Sequence, residues 1–175
     1  MSFKFRSAGL ATLALLWALP VTTATAEIPE YSLKAAFLYN FALFTEWPTH
    51  NKDFNLCVIG KDPFGQAIEE VAKKQMQGRA VKLTHLAASD LSEIKECDLM
   101  FIAYSEHPQL SRMVSQLTKL PILTIAEANG FDHKAVMILM KSEQNKIAFE
   151  INQTAAKAAG LDFSSKLLHL AKSVY

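Results

Sequence analysis

The sequence predicts an α/β domain: a mainly parallel, Rossmann-like sheet of about six strands, with helices on both faces and an antiparallel hairpin at its C-terminal edge. Two observations carry this. Four short apolar runs between Phe54 and Ile125 alternate with helical segments, the pattern of right-handed crossovers in a parallel sheet. Two later runs are joined by a loop too short to link anything but antiparallel neighbours.

The elements follow in order. Tyr31 to Trp47 reads as a helix stopped by Pro48, with Leu33, Phe37, Phe41 and Phe44 at helical spacing. Leu38, Tyr39 and Ala42 lie off that stripe, so the helix is apolar over more than one face. It is either sandwiched in the fold or part of an interface. Phe54 to Gly60 is a buried strand, and Pro63 to Lys74 a helix. Arg79 to Leu86 is a second strand, and Leu91 to Glu96 a helical turn. Cys97 to Ala103 is a third strand, Pro108 to Leu117 a helix, and Pro121 to Ile125 a fourth strand. Ala135 to Met140 and Lys146 to Asn152 form the hairpin around residues 141–145. In its second arm Ile147, Phe149 and Ile151 alternate with Ala148, Glu150 and Asn152, which marks a half-buried strand. Thr154 to Ala159 and Ser165 to Val174 are the closing helices, the second capped by Ser164 or Ser165.

A segment ahead of this pattern reads as an address. Lys4 and Arg6 precede an apolar stretch from Ala8 to Leu19, then Pro20, then Ala24-Thr25-Ala26. That is a cleavable signal peptide over residues 1–26. The apolar run is shorter than the ~20 residues that a membrane span needs. A single α/β domain over residues 27–175 would remain, periplasmic and not inserted in the membrane. The chain of 175 residues is 50% apolar with a formal charge of +1. Removing Lys4 and Arg6 leaves it near −1, and no basic excess points to nucleic acid. In an oxidising compartment Cys57 and Cys97 suggest one disulfide, the alternative being two buried thiols.

Candidate chemistry is sparse. The carboxyl ends of parallel strands are the default ligand site of an open α/β sheet. The first such loop runs from Gly60 and Lys61 to Gly65, and the third holds Ser105, Glu106 and His107. The first loop lacks the P-loop and dinucleotide fingerprints and reads as a tight turn, although its amides could cradle an anion. The third has no nucleophile elbow. The five histidines, His50, His85, His107, His133 and His169, are scattered. None has a partner at metal-ligand spacing, so neither a catalytic residue, a metal nor a cofactor is expected.

Two blocks together resemble the YfiR family of periplasmic proteins. The first is Tyr31-Ser32-Leu33-Lys34-Ala35-Ala36-Phe37-Leu38-Tyr39-Asn40-Phe41 with Glu46-Trp47-Pro48. The second is Phe149-Glu150-Ile151-Asn152 followed by Ala155-Ala156, Ala159-Gly160-Leu161 and Ser164-Ser165-Lys166-Leu167-Leu168. The resemblance spans the mature chain. It implies a non-enzymatic regulator that binds and represses an inner-membrane signalling protein of the diguanylate cyclase type, controlling cyclic di-GMP and biofilm, and that forms a homodimer. It also implies that Cys57 and Cys97 are the family's recurring disulfide pair. Strand geometry resists this pairing. Level strand ends would offset the two by three residues, ~10 Å along a strand, so the strands are staggered or the third starts later. Partner contact is expected on the late hairpin and its following helix, around Glu150, Asn152 and Lys157, with the first helix free for dimerisation. The competing reading is a small-molecule sensor or solute-binding domain using Gly60, Lys61, Gly65 and Ser105.

Overall fold

The computed structural model describes residues 29–48, 53–128, 136–143 and 146–175. The expected signal peptide, His50, His133 and residues 144 and 145 of the hairpin loop lie outside these residues. No helix of the described residues is long and apolar enough to cross a membrane.

The first helix, α1 (Glu30–Leu43), starts after Pro29, and Glu30 places a carboxylate in its first turn, where the helix dipole favours one. It ends four residues before Trp47. The Thr45 hydroxyl donates back to the Phe41 carbonyl (2.7 Å), and β1 (Thr45–Glu46) then pairs antiparallel with β9 (Asp162–Phe163). The remaining elements are β2 (Phe54–Ile59), α2 (Gln66–Ala72), β3 (Gln75–Met76), β4 (Arg79–Leu86), α3 (Leu91–Ile94), β5 (Leu99–Ile102), a 3₁₀ turn (Tyr104–Gln109) running into α4 (Leu110–Ser115), β6 (Leu123–Glu127), β7 (Ile138–Glu143), β8 (Lys146–Ile151), α5 (Gln153–Ala158), α6 (Ser165–Leu170) and β10 (Ser173–Val174).

Among the described residues the main sheet has eight strands in the order β10-β8-β7-β6-β5-β2-β4-β3. This corrects the expected mainly parallel sheet of about six strands, because the sheet is mixed. β4, β2, β5, β6 and β7 run parallel, and β7–β8 form the expected antiparallel hairpin. The two added strands are two residues each. β3 returns antiparallel on β4 through a turn in which Gln77 and Gly78 both take positive φ. β10 comes from the segment expected to finish the last helix. After Leu170 the chain extends and lays Ser173 and Val174 parallel to Glu150 and Ile151.

The sheet separates two apolar cores. One joins Leu38 and Phe41 of α1 to Ile68 and Val71 of α2, the sheet residues Leu56, Phe101 and Phe149, and Leu167 of α6. The other joins Ile94, Met113 and Leu117 to Ile59, Met100 and Ile102. The broad apolar surface of α1 is largely used within the chain. Phe37 and Phe41 pack on Phe149, and Tyr39 donates to the Gln75 carbonyl. Ala36, Asn40 and Leu43 form its exposed line.

Cys57 and Cys97 are joined, with Cα atoms 6.0 Å apart. β5 begins at Leu99, two residues later than the sequence reading placed it, and that removes the geometric difficulty. Asp98 donates its N–H to the Asn55 carbonyl, and Cys97 N–H turns back to Ile94 at the end of α3. Cys97 thus lies over the face of the sheet, off the line of the strand.

Candidate functional site

The strand order reverses at β2. The chain moves from β2 to β4 on one side, then returns to β5 on the other. Helix α2, after β2, belongs to one core, and α4, after β5, belongs to the other. The loops leaving β2 and β5 therefore part to opposite faces and open a crevice between the strand ends, where doubly wound sheets place their ligands.

Gly60 and Ser105 meet at the lip of this crevice. Gly60 has φ +89°, and a Cβ there would stand 2.5 Å from Ser105 Oγ and 2.6 Å from Glu106 Cγ. The turn thus requires glycine for both its backbone angle and the closeness of the neighbouring loop. The Lys61 N–H donates to Ser105 Oγ (3.1 Å), whose own proton goes to Glu106 Oε1 (3.3 Å). Asp62 accepts from the Phe64 N–H (2.7 Å) and lies 3.1 Å from His85 Nε2. Gly65 has φ +52°, opens α2 and has nothing within 4 Å of a built Cβ. Three of the four residues expected for a ligand, Gly60, Lys61 and Ser105, are therefore together, while Gly65 shapes the turn.

A cavity of about 280 Å³ lies here, lined by Tyr31, Lys61, Phe101, Tyr104, Ser105 and Glu127 among others. Phe101 and Glu127 are buried at its floor, and Tyr104 is exposed at its mouth. Beneath Tyr31 sits a charged cluster. Lys34 is 3% exposed, forms an ion pair with Glu30 one turn earlier, and lies 3.2 Å from Glu127 Oε1. Its ammonium also stands 4.6 Å from the centre of the Tyr31 ring. Glu30 accepts from the Ser142 hydroxyl (2.5 Å), tying α1 to β7.

The titrations reflect this packing. Burial pulls the Lys34 ammonium down, but the Glu30 and Glu127 carboxylates outweigh it and hold the group above the usual lysine value. Hydrogen bonds from Lys34 and Ser142 hold the Glu30 carboxyl below the usual range. Burial and then the Glu127 charge raise the Tyr31 phenol.

The residues expected to face a partner mostly have intrachain work. Glu150 accepts from Lys141 Nζ (2.6 Å) and from the Tyr175 hydroxyl (2.7 Å), locking the end of the chain against β8. Asn152 lies just past β8, not within it, and its side chain caps α5 by accepting from the Ala155 N–H (2.9 Å). Both belong to the frame of this surface. Lys157 is exposed on α5. Leu170 and Val174 are also exposed, and Leu170 lines a shallow depression with Glu143, Lys146, Ile147 and Lys172.

Sequence reading passed over Lys34 and Glu127. The Glu30–Lys34 spacing of one helical turn was a usable signal for the first. No local pattern announces Glu127, which ends an otherwise apolar strand. No group of three or more metal-ligating side chains occurs among the described residues.

Comparison with known proteins adds a family. No curated protein matches the chain. One solved structure, the ABC domain in complex with L-Trp from Streptococcus pneumonia, shares 10% identity at a TM-score of 0.47. The likeness covers 70% of this chain and 55% of that one, so this chain spans little more than half its length. It carries no argument about this site. The family model described as YfiR/HmsC-like matches residues 31–172, nearly the whole chain after the expected signal peptide. The chain belongs to the YfiR/HmsC-like family.

Proposed function

We propose that this chain is a non-enzymatic periplasmic regulator that grips an inner-membrane signalling protein of the diguanylate cyclase type and holds it inactive. The family match over residues 31–172 carries this reading, since the family is one of periplasmic regulators of cyclic di-GMP signalling. Docking would use the exposed side of α5, which carries Lys157, and the end of the chain, which carries exposed Leu170 and Val174. Glu150 and Asn152 would act by fixing that surface. A second copy of the chain would pack on the exposed line of α1.

The experiment is capture of the periplasmic region of a cyclase encoded beside this chain. Lys157→Glu and Leu170→Glu should each reduce capture while the urea midpoint stays unchanged. Full capture by both variants would remove the assignment of this surface. No capture by the unaltered protein would remove the cyclase partner.

A second reading is favoured by the cavity at the strand ends. A small molecule held in this cavity, which Lys61 and Ser105 line, would make the chain a sensor as well as a clamp.

A further inference from the structure

We propose that the crevice between the β2 and β5 ends binds a small organic cation, an ammonium group carried on an apolar ring-sized body. This rests on the sensor reading and gives it a ligand class.

Three features of the floor and walls point to positive charge. Glu127 is 7% exposed and lines the cavity as a buried carboxylate, with the Lys34 ammonium 3.2 Å from its Oε1 on the protein side. An ionised carboxylate has about four acceptor sites, so one ion pair leaves capacity that an N–H of a bound ammonium would use. The cluster beneath holds two carboxylates, Glu30 and Glu127, against one ammonium, Lys34, leaving one net negative charge. The walls include Tyr31, Phe101 and Tyr104, and aromatic faces attract cations. The Tyr31 ring already receives the Lys34 ammonium in this way.

The lip argues against an anion. Lys61 N–H, the donor that an anion cradle would use, is given to Ser105 Oγ, and Ser105 gives its own proton to Glu106. Only the flexible Lys61 side chain favours negative charge, and it stands at the exposed mouth. A cavity of about 280 Å³ suits a single ring with a short arm.

The test uses three probes of one shape: phenethylammonium, phenylacetate and 2-phenylethanol, titrated into the purified protein by calorimetry. Phenethylammonium should bind saturably and more tightly than the other two. Glu127→Gln should weaken it about tenfold, and Lys61→Gln should strengthen it about twofold by removing a like charge. Tyr104→Ala, at a side chain 63% exposed, should also weaken it with the circular dichroism spectrum unchanged. That arm holds even where Glu127→Gln fails to fold. Preference for phenylacetate, weakened by Lys61→Gln, would overturn the cation class and leave the crevice a ligand site. Binding of none of the three would overturn the cation class. In that case a thermal-shift screen of uncharged and anionic metabolites decides whether the sensor reading goes with it.

Discussion

Cys97 lies two residues ahead of β5, and Cys57 pairs there with Met100, yet the Cα atoms of Cys57 and Cys97 are 6.0 Å apart. The bond is made across the face of the sheet, between β2 and the short link from α3 into β5. It ties the end of α3 to the middle of the parallel sheet and closes a loop of 40 residues.

Replacing both cysteines by serine should therefore cost about 4 kcal/mol, the loop-closure entropy returned to the unfolded chain. Urea unfolding of the oxidised protein and the double variant measures the difference. A loss under about 1 kcal/mol would show that strain in the folded bond, or structure retained without it, cancels the gain.

Lys34 and Glu127 come from elements 93 positions apart and are both buried. Lys34→Ala leaves the Glu127 carboxylate without its ion-pair partner, and should cost about 3–5 kcal/mol. Lys34→Met combined with Glu127→Leu should recover most of that, since an apolar pair of similar volume has no charge to desolvate. Failure of the pair to recover stability beyond Lys34→Ala would mean that the ion pair has a structural value which packing cannot replace.

The same cluster sets a pH dependence. The Glu30 carboxyl is held below its ordinary value of 4.5, so its contribution to stability is present above that pH and is lost as acid titrates it through the lower, folded value. The Lys34 ammonium is held above 10.5, so its contribution is full below that pH and is lost as alkali carries it through the higher, folded value. Between these limits the pair is insensitive to pH. Urea midpoints of the protein and of Glu30→Gln should converge as pH falls below 4.5. Parallel curves would remove Glu30 from the account.

Gly60→Ala should be worse than Gly78→Ala. Both positions have positive φ, +89° and +75°, and each loses about 1–3 kcal/mol from backbone strain. Only at Gly60 does the new methyl strike Ser105 and Glu106, while at Gly78 nothing lies within 4 Å. Gly60→Ala should therefore lose more stability and displace the β5 loop, seen as shifts in the Ser105 and Glu106 amide resonances. Equal losses at the two sites would mean that the loops yield without cost.

Much of the fold was legible because its elements carry strong local patterns. β4 matches its sequence reading from Arg79 to Leu86, where alternation is clean and a glycine precedes it. The β7–β8 hairpin was legible from its short connection. The two-residue strands were not, because a pairing of two residues leaves no periodicity. Val174, read as the inner face of a helix, is instead strand, since pairing with Ile151 outweighs helical spacing at the chain's end. The site was half legible. Gly60, Lys61 and Ser105 follow from the rule for strand ends. Lys34 and Glu127 come together only through the packing of α1 across the sheet, which no local window contains.

The outermost strands of the sheet, β3 and β10, are two residues each. Among the described residues they cover only Arg79 and Ala80 of β4 and Glu150 and Ile151 of β8, so Val81–Leu86 and Lys146–Ala148 keep one side without a strand neighbour. A companion therefore has main-chain groups as well as side chains to grasp, and substituting surface side chains alters only part of what it reads.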